Sequence, residues 1–380
     1  MENRGRSKKE ILAELRLILE EDAKYEDGKV LCSMCTSPKS IAKTAHQMFL
    51  CSNLGDPGLF AGSRRLEQKV IQTLTNLLNS KSNVGFIVSG GTEANLLALL
   101  AARNWLDIQN PEVILPESAH FSFGKICNLL KLKPVWAKLD KAYRVVPELV
   151  ERCISDRTVA IVGTAGTSEV GAVDPIGRLS EIALEHGIYL HVDAAFGGLV
   201  IPFLESAQRD ALEFDFRLEG TKSLTVDPHK MGMSVVPAGG ILFRDSTYLE
   251  RIRTETPYLT ETAQYTFVGT RSAASVAATW AVFESLGLNG FKKTVGQCMT
   301  LTKFLAKSVE EIGLKLIAQP TLNIVTFRTS NSKKTAAIMG ERGWFVSYVP
   351  RLDCIRIVVM PNLEKQHLVT FIKALSKTEK

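Results

Sequence analysis

A chain of 380 residues, 45% apolar and 23% charged, has an ordinary globular balance. It is too long for one modest core, which leaves two or three domains or one large α/β domain with an appendage. Its 46 basic residues against 40 acids give a net charge of +6, spread along the chain, so the basic stripe of a nucleic-acid binder is excluded. No stretch approaches the roughly 18 uncharged apolar residues of a membrane span, and the charged opening residues have no apolar run behind them, so no secretory signal is expected.

In chain order, Ile11, Leu12, Leu15, Ile18 and Leu19 fall on one face of a helix predicted over residues 8–21. The turn formers Asn53-Leu54-Gly55-Asp56-Pro57-Gly58 then precede a second amphipathic helix at 64–78. From there short apolar runs alternate with helical patterns. Strands are predicted at 84–88, 113–115, 159–162, 188–192, 224–226 and 241–243, and helices at 93–105 and 179–186, the latter capped by Gly187. The strand runs lack a clean period of two, as strands buried on both faces should, and the alternation predicts a largely parallel sheet covered by helices. After residue 273 the pattern changes to helices at 275–286, 299–312, 335–342 and 363–375 and strands at 323–327, 344–348 and 355–359. The expected division is an N-terminal helical segment (1–50), a large α/β domain (51–274) and a small α+β domain (275–380).

Seven cysteines, an odd number scattered from Cys32 to Cys354, argue against a disulfide framework and for a reducing, cytoplasmic setting. Cys32 and Cys35 form a C-x-x-C, but the second such pair of a structural zinc site is missing, and the six histidines form no H-E-x-x-H. No metal is expected.

Four segments carry chemistry. Ser89-Gly90-Gly91-Thr92-Glu93 follows a strand and opens a helix, so free N–H groups and the Thr92 hydroxyl face an anion; it is neither a Walker loop nor a G-x-G-x-x-G fingerprint, and taken alone it is equally a glycine turn. Asp193, in His191-Val192-Asp193-Ala194-Ala195, ends a strand where open α/β sheets bind ligands, and a carboxylate there can hold a ring nitrogen protonated beside the small Ala195; read alone it is also a helix cap. Lys230, in Asp227-Pro228-His229-Lys230-Met231-Gly232, follows a buried strand. Burial and cationic neighbours would lower its pKa and make it a nucleophile, against the plain reading of a loop lysine. His120, between Ala119 and Phe121, is placed either to stack on a planar group or simply to pack a loop.

Together and in this order the segments resemble the group II pyridoxal-5′-phosphate-dependent amino-acid decarboxylases of aminotransferase fold type I. The resemblance covers nearly the whole chain and is nearest to the archaeal L-tyrosine/L-aspartate decarboxylases. It is carried by residues 53–60, 191–202, 227–232, 257–262 and 355–361. It implies that Lys230 forms the Schiff base, Asp193 pairs with the pyridine nitrogen, and His120 and Ala195 flank the ring. It further implies that Gly91, Thr92 and His229 lie at the phosphate, Thr167 contacts the cofactor, and Arg356 and Asn53 contact the substrate. Thr270 would reach the neighbouring phosphate of a homodimer. Tyr258, on a polar loop, is the expected proton donor to Cα. The implied substrate is L-tyrosine (to tyramine, for methanofuran) and/or L-aspartate (to β-alanine, for coenzyme A). Two rivals stand beside it: a sphingosine-phosphate-lyase-like carbon–carbon lyase, and a cofactor-free scaffold on the same fold.

Overall fold

The computed structural model describes residues 4–379. Its centre is a seven-stranded sheet made of β1 (Val84–Val88), β2 (Glu112–Pro116), β3 (Lys133–Ala137), β4 (Thr158–Thr164), β5 (Tyr189–Asp193), β6 (Thr221–Val226) and β7 (Gly239–Phe243). The order is β1-β7-β6-β5-β4-β2-β3. Strands β3, β2, β4, β5 and β6 are parallel, while β7 runs antiparallel to both β6 and β1. Every residue of β4 and of β5 is buried, which is why neither shows the period of two of a half-exposed strand. Parallel neighbours need crossovers, and the intervening helices supply them.

The helices of this part are α1 (Lys8–Glu20), α2 (Ser40–Met48), α3 (Ala61–Leu77), α4 (Gly91–Leu106), α5 (Ser122–Leu130), α6 (Pro147–Arg152), α7 (Ile176–Glu185), α8 (Ser206–Asp210) and α9 (Ser246–Leu249). Core residues of α3 and α7 pack with one side of the sheet, and those of α4 and α5 with the other. Gly187 ends α7 in the left-handed conformation, φ +64°, as its place after the last apolar turn requires.

A short hairpin of β8 (Thr254–Glu255) and β9 (Ala263–Gln264) follows, with residues 256–262 as its loop. Then come α10 (Ala273–Glu311), β10 (Lys315–Leu316), β11 (Ile324–Arg328), α11 (Ser332–Glu341), β12 (Ser347–Val349), β13 (Cys354–Val358) and α12 (Lys365–Thr378). The last four strands form an antiparallel sheet in the order β10-β11-β13-β12. The two helices expected at 275–286 and 299–312 are one run, α10, broken at Gly287 (φ 53°). The strand expected at 344–348 begins at Ser347, because Trp344 is drawn into the core of the second sheet, stacking edge-on against Phe371.

Helices α2, α5 and α6 and strand β3 had no clear sequence signal. β3 is an edge strand with exposed Lys133 and Trp136, so it carries little of the apolar pattern of a buried strand. The first helix holds another surprise: no residue of α1 is buried, although its apolar stripe is as predicted.

A strap crosses from one sheet to the other. Val30 bridges to Phe345, Leu31 exchanges backbone bonds with Phe345 and Val358 (2.8 Å each), and Leu31 is fully buried. Eight residues on, the Lys39 N–H reaches the Met233 carbonyl at 3.1 Å, three residues past Lys230. Residues 30 and 31 are thus joined to the second sheet, and Leu31 is part of its core.

Candidate active site

Strands β1, β2, β4, β5 and β6 all point the same way, so the segments that follow them meet at one edge of the sheet. Gly91 opens α4 after β1, His120 follows β2, Thr164 ends β4, Asp193 ends β5 and Lys230 follows β6. That is where open α/β sheets place ligands. A cavity of about 320 Å³ forms there, and seven of the residues singled out from sequence line it: Gly91, Thr92, His120, Asp193, Ala195, His229 and Lys230. Far larger surface clefts of about 820 and 1010 Å³ hold none of these residues. Chemistry rather than size selects the smaller cavity.

Lys230 Nζ lies 3.0 Å from Asp227 Oδ2. The sequence reading expected cationic neighbours and a lowered pKa; the structure overturns it. Burial does disfavour the ammonium, but Asp227 and then Asp193 outweigh it, and the Lys230 pKa is raised. Asp227 is itself buried, and its Oδ1 has no hydrogen-bond partner among the described residues. His229 accepts the Ala238 N–H at Nδ1 (3.1 Å), and burial lowers its pKa. His120 Nδ1 sits 2.8 Å from Ser122 Oγ; its pKa too is lowered by burial, partly opposed by Asp193. Phe121 packs 4.2 Å from it, centroid to centroid, with its ring largely outside.

Asp193 is 5% exposed. Its Oδ1 accepts the Ala195 N–H (3.1 Å) and its Oδ2 accepts from Asn95 Nδ2 (2.9 Å). The phosphate-type loop is equally constrained. Gly90 has φ +148° and offers α4 no side-chain cap, so the helix N-terminus stays open to an anion. A Cβ on Gly91 would meet Asp227 Oδ2 at 3.0 Å and Ala195 Cβ at 3.3 Å. Glu93 ties the loop down by accepting the Ser89 N–H (2.8 Å) and the Val268 N–H (3.1 Å).

The other expected residues lie outside the cavity lining. Thr167 is fully buried, and its hydroxyl accepts the Ala172 N–H (3.0 Å), a turn-forming bond; its neighbours Gly166 and Ser168 reach the cavity instead. Asn53 accepts the Gly55 and Arg271 N–H groups (2.7 and 3.2 Å) and pins the 53–60 loop rather than facing the cavity. Arg356 gives its terminal nitrogens to the carbonyls of Ser168 (2.6 Å) and Cys32 (2.7 Å) and to Ser347 Oγ (2.9 Å), leaving Nε buried and unpartnered. Thr270 is exposed, and Tyr258 is 86% exposed at the tip of the β8–β9 hairpin. Three contributors had no role from sequence: Asp227, Asn95 and Thr164. A carboxylate three residues before the lysine was the available signal for the first.

These residues fit pyridoxal phosphate. A glycine-built anion cradle, a buried carboxylate for a ring nitrogen, a lysine within reach, and Asp227 and Thr164, each with an orphaned polar atom among the described residues, line one cavity. The fold and site define a pyridoxal-phosphate enzyme of aminotransferase fold type I. Residues 63–330 match the family described as "Pyridoxal-dependent decarboxylase conserved domain", and the chain belongs to that family, as a carboxy-lyase.

It is 47% identical over 353 residues to a probable L-tyrosine/L-aspartate decarboxylase of Methanothermobacter thermautotrophicus, covering 92% of this chain and 97% of that one. To an L-aspartate decarboxylase of Thermococcus kodakarensis it is 46% identical over 380 residues, covering 99% and 98%. Among solved structures, a Burkholderia pseudomallei sphingosine-1-phosphate lyase superposes with TM-score 0.91 at 26% identity, over 100% of this chain and 91% of that one. A Lactobacillus brevis glutamate decarboxylase gives 0.89 at 22%, over 100% and 93%, a likeness of fold alone. The lyase alternative is not favoured, since the much nearer sequences are decarboxylases.

Proposed function

We propose that the chain decarboxylates L-aspartate to β-alanine and carbon dioxide, with L-tyrosine to tyramine as the second reading. The carrying observation is that aspartate stands in the names of both relatives, at 46–47% identity over nearly the whole chain; the Methanothermobacter relative, whose name includes tyrosine, favours the second. β-Alanine would serve coenzyme A and tyramine methanofuran, in an archaeal cytoplasm. No helix among the described residues is long and apolar enough to cross a membrane.

When bound, pyridoxal phosphate supplies the electron sink for the electron pair that the departing carboxylate leaves on Cα. The chain supplies position and charge. The α4 N-terminus with Gly91 and Thr92 takes the phosphate, Asp193 keeps the ring nitrogen protonated, and His120 and Ala195 confine the ring. With Asp193 paired to a cation of its own, its pull on the Lys230 ammonium would be offset, leaving Asp227 as the carboxylate in contact with that group. Arg356 is the proposed partner of a substrate carboxylate, a role that would require its terminal nitrogens to leave the Ser168 and Cys32 carbonyls they now hold.

The working unit is proposed to be a homodimer. The exposed apolar face of α1 (Leu15 54%, Ile18 54%) supports this, as do the exposed Tyr258 and Phe267 near Thr270. Tyr258 is then the donor to Cα only across a subunit boundary. A product screen of the purified enzyme against the protein amino acids tests the reading: β-alanine from L-aspartate is expected, and tyramine as the sole amine would overturn the first substrate assignment.

A further inference from the structure

Behind Asp193 lies a chain of buried polar side chains that the decarboxylation itself does not use. His191 and Asp193 alternate along β5 and so share one face of the sheet. Their register partners on β6 are Ser223 and Thr225. Asn95 meets this face from the start of α4, and all five are buried. Asn95 Nδ2 is 2.9 Å from Asp193 Oδ2; Asn95 Oδ1 is 2.6 Å from Thr225 Oγ1 and 3.0 Å from His191 Nε2; His191 Nδ1 is 2.8 Å from Ser223 Oγ.

The carboxylate at one end dictates the polarity of the rest. An ionised carboxylate only accepts, so the Asn95 amide nitrogen faces it and the amide oxygen faces away. That oxygen also only accepts, so the Thr225 hydroxyl and His191 Nε2 both donate to it. Burial pushes His191 down to about 4, so the ring is neutral and its Nδ1 accepts from Ser223. Every donor therefore points toward Asp193. Hydrogen bonds aligned head to tail polarise one another in a low-dielectric interior, and a bond onto the charged form favours that form.

We propose that Asn95, backed by Thr225 and His191, is a positioning relay that orients the Asp193 carboxylate, and so sets the proton on the cofactor's ring nitrogen from inside the sheet. This rests on the reading of Asp193 as the ring-nitrogen partner. The other titratable groups that face Asp193 are Lys230, from the turn after β6, and His120, from the loop after β2. Neither hydrogen-bonds to Asn95 among the described residues, so substitution at Asn95 separates the relay from them.

The test is ring-nitrogen NMR against pH on holoenzyme loaded with isotope-labelled pyridoxal phosphate, for the wild type, Asn95→Ala, Thr225→Val and Asp193→Asn. In Asn95→Ala the ring nitrogen should lose its proton at lower pH than in the wild type. Its kcat should fall about ten- to hundredfold, the factor for one hydrogen bond to a charged group, with KM nearly unchanged. Thr225→Val, of the same shape, should move the titration the same way by less, and it decides the matter alone if Asn95→Ala does not fold. A merely structural role would lower stability and leave the titration where it was. Wild-type titration in both relay variants, alongside a deprotonated ring in Asp193→Asn, overturns the relay. A ring that stays protonated in Asp193→Asn overturns the underlying reading of Asp193 instead.

Discussion

Lys230 is held by the Asp227 carboxylate, with the field of Asp193 added to it, and not by cations, and this changes what its substitutions should do. In Lys230→Ala, Asp227 loses its 3.0 Å partner while the phosphate cradle is untouched. Turnover should vanish, yet pyridoxal phosphate should still bind non-covalently, as equilibrium dialysis would detect. Borohydride reduction of the wild type followed by peptide mapping should place the pyridoxyl group on Lys230; a label elsewhere rejects the assignment. His191 carries a pH prediction. Its folded pKa, about 4, lies below its ordinary 6.5, so the unfolded chain takes up the proton first. The stability that the neutral ring contributes is present above 6.5 and lost as pH falls toward 4, a swing of up to about 3 kcal/mol. Asp174, pushed up to about 6 by burial, works the other way and gains its proton in the folded state first, so a bulk acid titration blends the two. Histidine NMR separates them: the His191 ring should stay neutral while exposed histidines titrate, and a midpoint near 6.5 would refute its buried, acceptor-only Nδ1.

At the scale of the element, the start of α4 works because it lacks side chains. Gly90 occupies a φ of +148°, which side-chain-bearing residues rarely adopt. Gly239 at the start of β7 lies so close that a Cβ there would come within 2.4 Å of Gly90 Cα. Gly91→Val would push branched carbons against Ala195 and Asp227. It should weaken pyridoxal-phosphate affinity by at least about tenfold, the worth of 1.4 kcal/mol, with helix content by circular dichroism unchanged. Fluorescence titration of the apoenzyme measures this, and wild-type affinity would show that the cradle is not the phosphate site. The loop is also clasped from outside. Arg271 donates to Glu67 Oε1 (2.6 Å) and to the Ile87 carbonyl (2.8 Å), and both side chains are about one-tenth exposed. Removing one partner of such a buried pair costs about 3–5 kcal/mol, because the other charge stays behind. Glu67→Ala should accordingly lower the denaturant midpoint sharply, and a midpoint near that of the wild type would mean that the clasp carries no stability.

At the scale of the molecule, two features make little sense for a lone chain. Helix α1 has a formed capping box at Ser7 and Glu10 but buries nothing, and an isolated helix of 13 residues is marginal in water. Tyr258 stands 86% exposed on a hairpin loop held down by contacts of Thr260 with Asp56 and Gly58. A second copy covering both would account for them. Removal of residues 1–21 should shift the sedimentation profile toward monomer. Tyr258→Phe should leave cofactor affinity intact and still release carbon dioxide, but form the amine more slowly and divert product to an aldehyde in the presence of oxygen. Amine formation at the wild-type rate would remove Tyr258 from the chemistry.

Local sequence was enough for the alternation of buried strands and helices, because a parallel strand must be apolar on both faces and a helix opening after glycines must leave its N–H groups free. It was enough, too, to single out Gly91, Thr92, His120, Asp193 and Lys230, each at or a few residues past a strand end. What lay beyond it were relations between distant segments. Whether Lys230 meets cations or carboxylates depends on the fold of the turn after β6 and on how far β5 lies from it. Whether Thr167, Asn53 and Arg356 face a ligand or spend their bonds on backbone depends on loops more than a hundred residues away in the last case, where Arg356 joins Cys32 and Ser168. The amphipathic stripe of α1 is plain in the sequence, but only the tertiary structure shows that nothing among the described residues covers it. Hydrophobic period reports which face wants burial, not which surface provides it.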